Sequence, residues 1–121
     1  MRASVERKTF AAALAGAARI AGDGRMIPAI SHIRLEAGED GLRLQATNGE
    51  LSVSLRLDAE VAEPGVAIVP KAVAQVVKAM GGDTVGLNFA AHGDFVLRSG
   101  AMTAQVANLP SDQFPVTDGA G

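Results

Sequence analysis

Apolar residues in this chain recur at two different periods, and each change of period marks a new element. Arg2 to Glu6 alternates, with Ala3 and Val5 on one side, which predicts a short strand. From Lys8 to about Ala21 the period lengthens. Phe10, Leu14, Ala17 and Ala18, then Ile20 and Ala21, fall at helical spacing, and alanine fills much of the rest. Gly22-Asp23-Gly24 ends this helix. Pro28 lies in the loop that follows, which leads into an extended run from Ala29 to Ala37. Gly38-Glu39-Asp40-Gly41 is a turn signal, and beyond it Leu42, Leu44 and Ala46 share one face of a strand ending at Thr47. Asn48-Gly49 turns the chain again. Leu51, Val53, Leu55, Leu57 and Ala59 then alternate with Ser52, Ser54, Arg56 and Asp58, predicting one long strand with a wet face.

The pattern then repeats. Pro64-Gly65 turns the chain and Val66 to Val69 is a short apolar strand. Pro70 suits the first turn of a helix from Lys71 to Met80, whose stripe is Val73, Val76, Val77 and Met80. Gly81-Gly82 ends it. Strands are predicted at Thr84 to Ala90, Phe95 to Ser99 and Met102 to Leu109, with turns at Ala91-His92-Gly93-Asp94 and Ser99-Gly100. Strand, helix and three strands therefore occur twice. This order predicts an α+β domain of two β-α-β-β-β halves, with two helices packed on one side of antiparallel sheets. We place a single domain at residues 1–110 and an exit linker or tail at 111–121, where Pro115 and small residues break all periodicity.

Composition narrows the chemistry. A chain of 121 residues, 48% of them hydrophobic, has material for one core. With no Trp, no Tyr and four Phe, that core is aliphatic. No cysteine is present, so disulfides and thiolate chemistry are excluded. The opening residues are charged and mixed, without the apolar stretch of a signal peptide. No segment is apolar for long enough to span a bilayer as a helix, and we expect a cytoplasmic protein.

A formal net charge of −2 gives no overall basic excess, so any contact with nucleic acid depends on where the cations sit. On the first predicted helix Lys8, Ala12, Ala15 and Arg19 share a face. On the second, Lys71, Gln75 and Lys78 lie opposite the Val/Met stripe. Two readings follow. These cations solvate exposed helix faces, or they form a surface for phosphates that offers charge without base readers. Glu36, Glu39, Asp40, Glu60 and Glu63 lie away from both helices, which favours the second. Enzymatic signals are poor: His32 and His92 are far apart and not at metal-ligand spacing, and no nucleophile elbow or P-loop occurs. We expect no catalytic site, no cofactor and no metal.

Six pieces of the sequence together carry a family resemblance. They are Met1-Arg2-Ala3-Ser4-Val5-Glu6-Arg7; Gly24-Arg25 with Ile27-Pro28-Ala29-Ile30; Ala46-Thr47-Asn48-Gly49-Glu50-Leu51; Val69-Pro70; Leu97-Arg98-Ser99-Gly100; and Leu109-Pro110 with Asp112, Phe114 and Pro115. In this order, over this element pattern, the chain resembles the N-terminal domain of the bacterial DNA polymerase III beta subunit, the sliding clamp.

The resemblance implies a DNA-clamp fold. In that family, chains of three such domains close head to tail into a ring, with helices lining the hole and sheets forming the wall. It implies sequence-independent contact with duplex DNA, assembly with other clamp domains or subunits, and, in the full-length family, tethering of the polymerase and engagement by the clamp loader. By position, Arg25 matches a family arginine that contacts the duplex. Lys8, Arg19, Lys71 and Lys78 would face the channel. The edge carrying Ala101, Thr103, Ala104 and Val106 matches a subunit interface, but this chain departs there from the basic and aromatic residues common in the family. The spacing from Arg25 to Pro28 is one residue shorter than usual, and Gly49 replaces a bulky aliphatic residue. The altered edge supports an alternative: a clamp-like interaction module that binds a partner through a sheet edge and does not encircle DNA.

Overall fold

Most of the alternating and helical stretches become elements in the computed structural model, which describes residues 1–22, 31–89 and 94–107. Strand β1 (Arg2–Glu6) runs straight into helix α1 (Arg7–Ile20). Then come β2 (His32–Gly38), β3 (Gly41–Thr47), β4 (Ser52–Leu57) and β5 (Glu60–Glu63), followed by β6 (Gly65–Pro70) and α2 (Val73–Ala79). Strands β7 (Thr84–Phe89), β8 (Phe95–Ser99) and β9 (Met102–Val106) complete the described chain. The α+β expectation holds, with two helices and two antiparallel sheets among the described residues.

The strands of the two halves are exchanged. β2, β3 and β4 form one antiparallel meander and β7, β8 and β9 the other. The first strand of each half joins the other half's meander. β1 pairs with β7, with Ser4 opposite Gly86, and β6 pairs with β2, with Leu35 opposite Ala67. The sheets are therefore ordered β4-β3-β2-β6 and β5-β1-β7-β8-β9.

Alternation explains the core. Leu42, Leu44 and Ala46 of β3 are buried while Arg43 and Gln45 are not. Val5, Ile33, Leu35, Val69, Val85, Leu87, Phe95 and Leu97 meet Phe10, Leu14 and Ala17 of α1 and Val73 and Val77 of α2 in one continuous cluster. Each fully buried side chain of this size stabilises the fold by about 1.5–3 kcal/mol relative to leaving it exposed. The tight β2–β3 hairpin needs glycine at 41. Its φ is +102°, and a Cβ there would collide with the carbonyl oxygen of Leu57.

Three expectations are corrected. The stretch from Leu51 to Ala59 is not one strand: it leaves the four-stranded sheet after Leu57, and β5 resumes beside β1, with Ala3 opposite Val61. Within β4, Leu55 keeps 36% of its surface exposed and Leu51, just before the strand, keeps 52%. The second helix begins at Val73, not Lys71. Pro70 ends β6 opposite His32, and the next residues form a tight turn with Ala74 N–H on the Lys71 carbonyl and Gln75 N–H on that of Ala72. Among the described residues no helix is long and apolar enough to cross a membrane. The boundary after residue 110 lies outside the described residues.

Candidate nucleic-acid interface

Helix α1 starts without a side-chain cap. Its first N–H, from Arg7, instead donates to the carbonyl of Asp83 at 2.8 Å, and the Arg7 Nε donates to that of Gly82 at 2.6 Å. These bonds fix α1 to the segment leaving α2. The helices then pack against one another, because alanines on the facing sides allow close approach.

Between them lies an open groove of about 670 Å³. Ala11, Ala12, Ala15 and Ala18 of α1 and Ala72 and Ala74 near the start of α2 line its floor and sides; Arg19, Lys71, Gln75 and Lys78 supply its polar groups. Among the described residues no carboxylate lines the groove, and neither helix carries one. Three of the cations expected on this face are thus brought together by packing. Arg19 and Lys78 are exposed, and both sit in the last turn of their helices, where a cation also offsets the negative end of the helix dipole. Lys71 is half-buried, and its Nζ donates to the carbonyl of Gly22 at 3.1 Å.

Lys8 lies apart from these three. It lines a different depression, of about 780 Å³, near the start of α1, with Glu6, Asp58, Glu60 and Asp83 around it. Arg25 falls outside the described residues.

The expected interface residues occupy the outer edge of the five-stranded sheet. Ala101 is exposed in the β8–β9 turn and Thr103 is exposed on β9, while Ala104 and Val106 pack partly against the core. The edge at the end of the other sheet carries the larger apolar exposure. Leu51 follows a turn closed by the Asn48 side chain, whose Oδ1 accepts from the Glu50 and Leu51 N–H groups at 2.9 and 2.8 Å. Asn48-Gly49 is the sequence signal that Leu51 stands at a turn rather than in the core.

His32 opens β2, with Ser31 Oγ and His32 Nδ1 at 3.1 Å. His92 falls outside the described residues, among which no group of three His, Asp or Glu side chains gathers as a metal site would require.

Residues 1–118 match the family described as DNA polymerase III beta subunit, N-terminal domain. No curated protein matches the chain. Among solved structures, the DNA polymerase sliding clamp from Caulobacter crescentus superposes with a TM-score of 0.90 at 25% identity, covering 97% of this chain and 32% of its own. The sliding clamp from Bacillus subtilis gives a TM-score of 0.89 at 16% identity, covering 97% and 33%. For the DNA polymerase III subunit beta from Pseudomonas aeruginosa the values are 0.88, 22%, 97% and 32%. This chain thus spans about a third of the length of the clamps whose fold it shares.

Proposed function

The chain belongs to the family of the DNA polymerase III beta subunit N-terminal domain, and we propose that it acts as a DNA sliding-clamp, or processivity-factor, domain. In this reading it helps form a ring around duplex DNA and so helps tether the replicative polymerase. It is a cytoplasmic protein with no catalysis, cofactor or metal of its own. The observation that carries the reading is the paired helix face: two adjacent helices without a single carboxylate, with the exposed cations Arg19 and Lys78 along an alanine-lined groove. Such a face attracts phosphates through charge alone and offers few side chains that read base edges. Arg25 and Lys8 are further candidates for the duplex. Ala101, Thr103, Ala104 and Val106 are candidates for the joint with the next clamp domain. Residues 1–110 would form the domain and 111–121 the exit segment. Polymerase and clamp loader would engage it as part of a larger assembly.

The test is anisotropy with two short duplexes of unrelated sequence over a range of salt. Equal affinities that fall steeply with salt are expected. The double variant Arg19→Ala/Lys78→Ala should lower the salt slope by about 0.9 for each phosphate that is no longer neutralised. A clear preference for one sequence, or an unchanged slope, would refute the assignment.

A second reading is supported by the apolar exposure at the sheet edges, Leu51 and Leu55 at one and Met102 at the other. Exposed edge strands invite pairing. In this reading the chain binds a partner protein and does not encircle DNA. Absence of duplex binding even at low salt would favour it.

A further inference from the structure

One residue bonds to both flanks of the connection between α1 and β2. The Lys71 backbone N–H donates to the Ser31 carbonyl at 3.0 Å, on the far side of residues 23–30. Its Nζ donates to the Gly22 carbonyl at 3.1 Å, on the near side. Gly22 is held a second time, its N–H donating to the Thr47 carbonyl at 3.2 Å. The β2–β6 register, His32 opposite Pro70, brings Lys71 to Ser31. That backbone bond is open to any residue but proline. The bond to Gly22 requires a long donor side chain. Gly22 also lies just past the end of α1, where helix carbonyls lack intrahelical partners and their dipoles favour a cation.

We propose that Lys71 is a positioning residue: it staples the two flanks of the 23–30 connection to the lead-in of α2, instead of meeting phosphate by its own charge. Arg19 and Lys78 on the same groove are exposed, whereas Lys71 is half-buried and already engaged. The part of this inference that concerns DNA rests on the sliding-clamp reading; the part that concerns the staple does not.

The experiment compares Lys71→Met, which keeps most of the stem and removes the ammonium, with Lys78→Met and Lys71→Arg in the full chain. Amide hydrogen exchange is followed by NMR, and affinity for a short duplex is titrated against salt. In Lys71→Met the amides of Gly22 and of position 71 should exchange about tenfold faster, the change expected when a hydrogen bond to a charged group is removed. Core amides such as those of Leu35 and Leu87 should be unmoved, which separates a broken staple from general unfolding. Lys71→Arg, which keeps a charged donor, should restore protection at Gly22. The salt slope of Lys71→Met should equal the parent's, while Lys78→Met lowers it by about 0.9.

Unchanged exchange at both amides would overturn the proposal, as would a fall in slope in Lys71→Met equal to that of Lys78→Met. If the parent does not bind duplex, the sliding-clamp reading fails for this chain alone, and the exchange measurements still decide the staple.

Discussion

Replacing Gly82 with alanine tests how the two halves are joined. An added Cβ would lie 2.5 Å from Ser99 Oγ, 2.7 Å from the Gly100 nitrogen and 3.2 Å from the Ser99 carbonyl carbon. Two of these atoms are backbone. The third belongs to a side chain that is 3% exposed and has no hydrogen-bond partner among the described residues, so it has little room to turn. The backbone at residue 82 must therefore retreat. It would carry with it the carbonyl that accepts Arg7 Nε, and disturb the neighbouring Asp83 carbonyl that receives the first N–H of α1.

Overpacking of this kind costs about 1–3 kcal/mol. Weakening the Arg7 bond adds roughly 1 kcal/mol, the low end for a charged donor because Arg7 is partly exposed. The lower entropy of an unfolded chain with alanine returns about 0.4–1 kcal/mol. The net loss is about 2 kcal/mol, or roughly 8 °C in Tm at about 4 °C per kcal/mol for a chain of this size. Urea unfolding followed by circular dichroism would measure it, with Gly81→Ala as the control, since a Cβ there meets nothing within 4 Å. Adding Ser99→Ala removes one of the three collisions and should recover part of the stability, with a coupling of about 0.5 kcal/mol or more. If Gly82→Ala and Gly81→Ala unfold within about 0.5 kcal/mol of each other, the junction is not packed as described.

Other substitutions probe separate parts of the structure. Gly16→Ala, in α1 with nothing within 4 Å of the new Cβ, should raise stability by about 0.5–1 kcal/mol, seen as a higher Tm. Phe10→Ala, at a fully buried site, should cost about 3–5 kcal/mol and shift the urea midpoint sharply; a midpoint near the parent's would remove Phe10 from the core. Leu55→Lys, on the outer strand of the four-stranded sheet, should change stability by no more than about 0.5 kcal/mol and reduce association measured by light scattering over a concentration series. An unaltered mass would show that this edge does not join copies.

The elements legible in the sequence are those whose own residues decide their burial. β1 and β3 alternate strictly, and α1 repeats Phe10, Leu14 and Ala17, so their limits are readable to within a residue or so. β5 is not, because Glu60-Val61-Ala62-Glu63 has no period and becomes a strand only through its partner β1. The start of α2 is hidden for a similar reason: Pro70 suits a helix N-terminus locally, but pairing with His32 holds it in β6. Leu55 shows the same limit from the other side. Its alternation matches a core position, yet it lies on the last strand of its sheet and stays partly exposed. For the candidate site, helical spacing places Arg19 and Lys78 on outward faces. It gives no hint that Lys71 reaches Gly22, since that bond depends on where α1 ends relative to β6.

The exchange of first strands is what turns two ordinary helices into one surface. Each helix follows the strand its half lends to the other sheet, α1 after β1 and α2 after β6. Antiparallel pairing of β1 with β7 and of β6 with β2 draws the halves together, and the helices finish side by side. Neither helix alone carries enough charge to hold a polyanion; together they offer a groove with cations and, among the described residues, no carboxylate. Affinity for DNA grows steeply with the number of phosphates neutralised, and each contact must be broken when a bound protein moves along the duplex. A face with few cations spread over alanine therefore suits a protein that stays on DNA by enclosure and must move along it. A face with a dense basic patch would suit one that stays by affinity. The same strand exchange that makes the fold hard to read from local sequence is thus what sets the charge density of its candidate working surface.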